Sequence, residues 1–137
     1  MAQNVNIDYG QADIAAFKQQ AVAAAQSGHF LFDPQVVDEV VRVYDVLIEG
    51  LQNEMKNIQS IAYIGGFGGF PSTQQLAQGF SKKANEFAAV LAHFIEGAMR
   101  LQEAYLISAG KITEAEAKNT QALQIIAQTV GTENSAR

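Results

Sequence analysis

The feature that most constrains the fold of this chain is a run of apolar residues with strict heptad spacing in its first half. The run alternates intervals of four and three residues, at Val37, Val41, Tyr44, Ile48, Leu51, Met55, Ile58 and Ala62. Such spacing places the side chains on one stripe of an α-helix, which is buried against a neighbouring helix. Asp33 followed by Pro34 is a favourable helix start. The pattern predicts a long helix over residues 34–62.

A second apolar stripe follows in the other half of the chain. Its members are Leu76, Phe80, Ala84, Phe87, Leu91, Phe94, Ala98, Leu101 and Tyr105. Ser72-Thr-Gln-Gln75 has the form of a capping box, and Gly110 is a typical helix end. We therefore expect a second long helix over residues 73–108, antiparallel to the first. The residues expected to be buried against one another or against a partner are Ile48, Leu51, Phe87, Leu91 and Phe94.

The stretch between the two helices, Ile64-Gly-Gly-Phe-Gly-Gly-Phe-Pro-Ser-Thr73, predicts a tight reversal of the chain, since glycine accepts positive φ. A phosphate-binding P-loop is excluded because it needs a lysine after the glycines, and no basic residue occurs between Lys56 and Lys82. We expect the elbow to act through backbone conformation, packing and partner contact. Its residues are Gly65, Gly66, Phe67, Gly68, Gly69 and Phe70.

Two shorter helical segments flank this hairpin. Residues 11–27 are alanine-rich and end at Gly28, and Thr113-Glu-Ala-Glu116 is a capping box for a helix that continues to Val130. No segment shows the alternating pattern of a β-strand. The expected fold is all-α, an antiparallel helical hairpin over 34–108 with flanking N- and C-terminal helices, similar to a four-helix bundle. Residues 1–130 are expected to form one domain and residues 131–137 a disordered tail.

The residue types offer no catalytic constellation. The chain has no cysteine and only two histidines, His29 and His93. His93-x-x-Glu96 reverses the Glu-x-x-His order of di-iron bundles, so we interpret His93 as a surface residue near Glu96. The acidic residues of the second helix are interpreted as a solvated face; they are Asp38, Glu39, Asp45, Glu49 and Glu54. We expect a non-enzyme without metal or cofactor.

Charge and hydropathy exclude further classes. The net charge of −5 argues against nucleic acid as a partner, because such contacts need a basic surface. No run of about 18 apolar residues exists, so no transmembrane segment is predicted. The first twenty residues lack the basic start and the apolar stretch of a cleaved signal peptide.

The elbow and the helix after it resemble the WXG superfamily of type VII (ESX) secretion substrates. The stretch GFGGFPSTQQLAQGFSKKANEF is similar to actinobacterial members with a Gly-Phe-Gly-Gly-Phe-Pro-Ser elbow. The segments MRLQEAY at Met99–Tyr105 and TEAEAKNTQAL at Thr113–Leu123 resemble the end of that family's second long helix. The resemblance implies a Trp-x-Gly turn replaced by Phe67-Gly68 or by Phe70. It also implies an export-signal region that includes Tyr105, Glu114 and Glu116.

The resemblance further implies a non-enzymatic protein that pairs with a partner helical protein as a substrate, an adaptor or a chaperone-like subunit of type VII secretion. Such a protein is cytoplasmic before export and then secreted or bound to the cell surface, without a cleaved signal peptide. The alternative is a self-contained helical bundle that serves as a structural subunit or binds a small apolar ligand.

The long helices carry more apolar residues than their seams require. The surplus comprises Val36, Val40, Val43, Leu47 and Ile61 in the second helix, and Val90, Ile95, Met99 and Ile107 in the third. The short flanking helices can cover only part of it, and a large exposed apolar patch usually marks an interface. We expect a homodimer or a heterodimer with another helical-hairpin protein.

Overall fold

The computed structural model of the protein describes residues 7–62 and 71–135, and all regular structure within these ranges is α-helical. The helices are α1 (Gln11–Gln26), α2 (Pro34–Ala62), α3 (Pro71–Ser108) and α4 (Ile112–Ser135). The predicted all-α fold, with a long hairpin between two flanking helices, is therefore confirmed. Most of the predicted elbow, from Ile64 to Phe70, lies outside the described residues, as does the side chain of Ser72.

Local chemistry explains where the helices begin and end. The Asp33 carboxylate accepts a hydrogen bond of 2.8 Å from the backbone N–H of Gln35 and thereby caps the start of α2. Gly28 and Gly110 both adopt a φ of +76° just after α1 and α3. This left-handed conformation is a common helix stop, and glycine adopts it without steric cost.

The boundaries of α4 differ from the predicted ones. The helix begins at Ile112, one residue before the predicted cap at Thr113, which is within the usual variation of helix ends. It continues through Gly131 to Ser135 and is therefore longer than expected. A glycine within a helix costs about 1 kcal/mol relative to alanine, which weakens a helix without ending it.

The central helix of the fold is α3, which packs against each of the other three helices. One buried cluster lies between α2, α3 and α4; it contains Ile48, Ala92, Ile95, Ala98, Met99, Ala122 and Ile125. A second cluster includes residues of α1 and lies toward the C-terminal end of α3; it contains Ala21, Val37, Leu106, Ile107, Ala109 and Ala115. Because α3 has three neighbours, its apolar residues must face more than one direction.

The buried face of α3 is not the predicted one. Ile48 and Leu91 are buried and Leu51 is half-buried, as expected, but Phe87 and Phe94 are 54% and 41% exposed. These two phenylalanines are therefore not buried within the single chain, and their predicted burial against a partner stays a prediction. The face that packs against α2 and α4 instead includes small residues, Ala92 and Ala98. Small side chains fill the close spaces between packed helices, whereas the large rings lie at the edge of the contact.

Two glycines within helices have different surroundings. No other helix closely approaches Gly50 of α2, because a Cβ atom at this position would meet nothing within 4 Å. The close approach occurs at Gly97, where a Cβ atom would lie 2.7 Å from Cδ2 of Tyr9. Gly97 therefore lets the Tyr9 ring lie against the backbone of α3.

Candidate partner-binding face

One side of the α2–α3 hairpin is closed by α4 through polar contacts. Lys111 Nζ lies 2.6 Å from the Asp38 carboxylate, and Lys118 Nζ lies 2.8 Å from Asp45 Oδ1. The buried Gln102 amide of α3 donates to the same Asp45 oxygen at 2.7 Å and to the Val41 carbonyl at 2.9 Å. Asp45 thus joins three helices.

The acidic residues of α2 were predicted to form a solvated face, and Glu39, Asp45, Glu49 and Glu54 are exposed. Asp38 is half-buried, and both Asp38 and Asp45 pair with lysines of α4. Burial raises the pKa of the Asp45 carboxyl, but hydrogen bonds from Lys118 and Gln102 outweigh it and hold the pKa below its usual range. Sequence spacing cannot reveal these pairs, since their members are far apart in the chain.

The other side of the hairpin is covered by α1 over part of its length only. The Tyr9 hydroxyl donates to Glu96 Oε1 at 2.5 Å, and Lys18 Nζ lies 3.1 Å from the buried Glu103 carboxylate. Burial and the hydrogen bond to Glu96 raise the pKa of Tyr9 above its usual range. Gly97 lies beneath the Tyr9 ring and next to Glu96, so the segment that precedes α1 contacts α3 at this level.

Tyr105 of α3 marks the region that α1 covers. Its ring lies 4.9 Å from the ring of Phe17 in α1 and 5.5 Å from that of Phe32, measured between centroids. The ring of Tyr44 in α2 lies 6.4 Å away on the same measure. Edge-on and tilted rings at these separations attract one another. Tyr105 is therefore part of an aromatic cluster that binds α1 and the following connection to the hairpin.

Toward the N-terminus of α3, the same side of the helix carries an uncovered row of rings, here named the aromatic stripe: Phe80, Phe87 and Phe94. These side chains are 47%, 54% and 41% exposed. Their spacing of seven residues keeps them on one line of the helix, and Tyr105 lies three turns beyond Phe94 on that line. The stripe is therefore the uncovered continuation of the surface that α1 and Phe32 cover at Tyr105.

The edge of α2 beside the stripe is also apolar and exposed. Asp45 faces α4, and at 100° per residue Leu47 lies on the opposite side of α2. Leu47 shares its side with Val43 and Ile61, and all three are exposed. Leu76 is exposed near the start of α3. The pairing face is defined here as Leu47, Ile61, Leu76, Phe80, Phe87 and Phe94. Val43 is level with Gln102 and lies beside the part of α3 that α1 covers.

The other predicted site residues have separate surroundings. Tyr105 is half-buried in its aromatic cluster, whereas Glu114 and Glu116 are exposed on α4. Glu96 hydrogen-bonds to Tyr9 rather than to His93. His29 is exposed in the turn after Gly28, as expected. The elbow residues Gly65 to Phe70 lie outside the described part of the chain.

Other kinds of site are not evident in the described ranges. Among residues 7–62 and 71–135, no group of His, Cys, Asp and Glu side chains is arranged to hold a metal ion. No helix in these ranges is both long and apolar enough to cross a membrane. A shallow depression on α1, lined by Ala15, Lys18, Gln19, Val22, Ala23 and Gln26, is open to solvent.

Comparisons with protein-family models, with curated proteins and with solved structures gave no match to this chain. Its resemblance to the WXG superfamily therefore stays a prediction from sequence.

Proposed function

We propose that this protein is a non-enzymatic pairing protein whose pairing face binds a second helical hairpin. The observation that carries the proposal is the exposed aromatic stripe beside the apolar edge of α2. A monomer's largest apolar patch usually covers a few hundred Å² and is often functional. Aromatic residues are also enriched in the cores of protein interfaces. A helical partner suits this face because rings at heptad spacing intercalate with a helix of the same repeat.

We place this activity in type VII secretion. The support is the resemblance of the elbow and of the start of α3 to WXG proteins. In that setting the chain is a substrate, adaptor or chaperone-like subunit, and its hairpin combines with the partner's hairpin into a larger bundle. Tyr105, Glu114 and Glu116 belong to the region that the export machinery would contact.

Light scattering and sedimentation test the pairing. They are applied to the purified chain alone and to the chain co-expressed with hairpin proteins that are encoded beside its gene. The Phe87→Glu variant is expected to weaken the association at least about thirtyfold, or about 2 kcal/mol, since it buries an unpaired charge. Phe87 is already half-exposed in the single chain, so the fold should tolerate the change.

Leu123→Glu is the matched control. Leu123 is 55% exposed, close to the 54% of Phe87, but it lies on α4 and outside the pairing face. This variant should associate as the wild type does. Equal loss of association in both variants would disprove the assignment of the face, and a monomer that binds no hairpin would disprove the function. Export is tested separately, by detecting the protein outside host cells with and without an active type VII ATPase.

A further inference from the structure

We infer that a second docking surface lies at the end of the bundle where α1 and α3 end and α2 and α4 begin, and that it binds a short, basic, amphipathic segment of a protein partner. The surface, here named the end surface, consists of Phe30, Leu31, Phe32 and Ile112. It shares no residue with the pairing face, so the inference goes beyond the proposed pairing function and does not depend on it.

The connection between α1 and α2 holds three consecutive large apolar side chains in solvent. Phe30, Leu31 and Phe32 are 60%, 45% and 42% exposed. The backbone that carries them is nevertheless fixed. The N–H of Leu31 donates to the Ser108 carbonyl of α3 at 3.0 Å, and the next helix begins at once after the Asp33 cap. Side chains on a fixed backbone lose little conformational freedom when a partner binds, so the surface is preorganised.

Contacts beneath the rings bring the two connections at this end together. Phe30 lies against Gly110 and leaves no room there for a Cβ atom. The ring of Phe32 lies 5.5 Å from that of Tyr105, measured between centroids. Ile112, which follows Gly110 by two residues and begins α4, is 46% exposed. Residues from the α1–α2 and α3–α4 connections therefore contribute to one apolar surface.

The exposed area indicates a small partner segment. The two phenylalanines expose about 200 Å² together, and Leu31 and Ile112 bring the total to roughly 350 Å². Apolar patches of about 300–600 Å² are the largest on a typical monomer and are often functional. A stable interface between folded domains buries about 800 Å² on each partner. The end surface therefore suits a short segment that inserts a few apolar side chains.

The charge around the end surface selects a basic segment. The chain segments that form this end, residues 26–39 and 107–117, carry five acidic residues and one lysine, which gives a net charge of −4. The acidic residues are Asp33, Asp38, Glu39, Glu114 and Glu116. Lys111 is already paired with Asp38. The next cations along α2 and α4 are Arg42 and Lys118; Lys118 is paired with Asp45, and counting Arg42 changes the net charge to −3.

A segment with both apolar and basic residues satisfies the two features at once. Its apolar side chains would cover the exposed rings, as in other amphipathic segments bound by proteins. Its lysines or arginines would lie beside the acidic rim, and such complementarity favours the correct partner and speeds association. The same acidic rim disfavours a membrane surface as the occupant, because anionic lipids carry the same sign of charge.

Fluorescence anisotropy of a labelled synthetic peptide tests the end surface. The probe spans five helical turns, or about 18 residues, with leucine at helical spacing and lysine elsewhere; its counterpart has glutamate in place of lysine. The lysine peptide should bind the wild-type chain at least about tenfold more tightly than the glutamate peptide at low salt, and high salt should reduce this difference.

Two variants of the end surface should weaken binding of the lysine peptide. Phe30→Ser removes the most exposed ring and should weaken it at least about tenfold. The double variant Glu39→Gln/Glu114→Gln keeps every apolar side chain and should weaken it about threefold or more. It therefore tests the surface even where Phe30→Ser disturbs the fold, which circular dichroism monitors.

The matched controls are Glu49→Gln/Glu54→Gln, which makes the same charge change at exposed positions of α2 far from this end, and Phe87→Ser on the pairing face. Both should bind the lysine peptide as the wild type does. Equal affinity for the two peptides, equal loss in the two charge variants, or loss in Phe87→Ser alone would overturn the inference. Binding to phosphatidylcholine vesicles that Phe30→Ser abolishes, without a preference for the lysine peptide, would assign the surface to lipid instead. Hairpin association is measured separately with Phe87→Glu, so either proposal can fail while the other stands.

Discussion

Replacing Gly97 by alanine tests how α1 is held on α3, because two opposing effects can be weighed from the structure. Alanine is the more favourable helix residue by about 1 kcal/mol. The added Cβ atom, however, would lie 2.7 Å from Cδ2 and 2.9 Å from Cε2 of Tyr9. Carbon atoms attract best near 3.5–4.0 Å, so the ring must move by roughly 1 Å.

The movement of the ring has a second cost. It disrupts the 2.5 Å hydrogen bond from the Tyr9 hydroxyl to Glu96. A hydrogen bond to a charged group contributes about 1.5–3 kcal/mol, and we take the lower end because Tyr9 is only half-buried. Gly97→Ala should therefore destabilise the protein by about 0.5–1 kcal/mol, despite the gain in helix propensity.

Urea unfolding followed by far-ultraviolet circular dichroism measures this change, with two controls. Gly79→Ala, in the same helix and with nothing within 4 Å of the new Cβ, should stabilise by up to about 1 kcal/mol. In a Tyr9→Ala background, Gly97→Ala should stabilise by a similar amount. The double-mutant cycle should therefore give a coupling energy between positions 9 and 97 of about 1.5–2 kcal/mol. Hydrogen exchange should show faster opening of α1 in Gly97→Ala. If Gly97→Ala stabilised the wild type as much as Gly79→Ala does, the assigned role of the Tyr9–Gly97 contact would be wrong.

Three further outcomes are expected. Leu91→Ala should cost about 2–5 kcal/mol in urea unfolding of the unpaired chain, since Leu91 is 7% exposed, while Phe94→Ala should cost clearly less; similar costs would contradict the observed burial of the α3 side chains. The lowered pKa of Asp45 means that its carboxylate stabilises the fold above pH 3.8 and that this stabilisation is lost as the pH falls through the folded-state pKa. The free energy of unfolding of Asp45→Asn should therefore fall less than that of the wild type between pH 5 and pH 3. The raised pKa of Tyr9 means that its neutral hydroxyl stabilises the fold below pH 10.0 and that this stabilisation is lost as the pH rises further. Tyr9→Phe should therefore show a smaller fall in melting temperature above pH 10.0 than the wild type. An equal fall in both proteins would refute the contribution of the Tyr9 hydroxyl.

The sequence predicted the helices well because their signals are local. Asp33 and Pro34 mark the start of α2, and Gly28 and Gly110 mark helix ends through their backbone freedom. The heptad run of α2 also identifies its buried side, since Val37 and Ile48 are both buried. An element with one dominant neighbour has one apolar stripe, and periodicity then gives its orientation.

Periodicity fails for α3, which has three neighbours. Its apolar residues surround much of the helix, and the spacing of the large ones predicted a buried stripe through Phe87 and Phe94. In the structure, many of the buried residues of α3 are alanines. The contacts that set the positions of α1 and α4 were also missed. They join residues far apart in the chain, as Gln102 and Asp45 do, and a single sequence gives no register for such pairs.

The two sides of the α2–α3 hairpin are completed in different ways, and this difference supports a division of roles. On one side α4 buries Ala122 and Ile125 in the core cluster and pairs its lysines with Asp38 and Asp45. Exposed ion pairs contribute little stability, but they favour one orientation of α4 over others. On the other side, α1 has one fully buried residue, Ala21, and begins near the level of Gly97. Covering the aromatic stripe within the chain would need a longer and more apolar first helix. The described chain instead leaves three heptad-spaced rings exposed beyond the start of α1, where the proposed partner hairpin would pack.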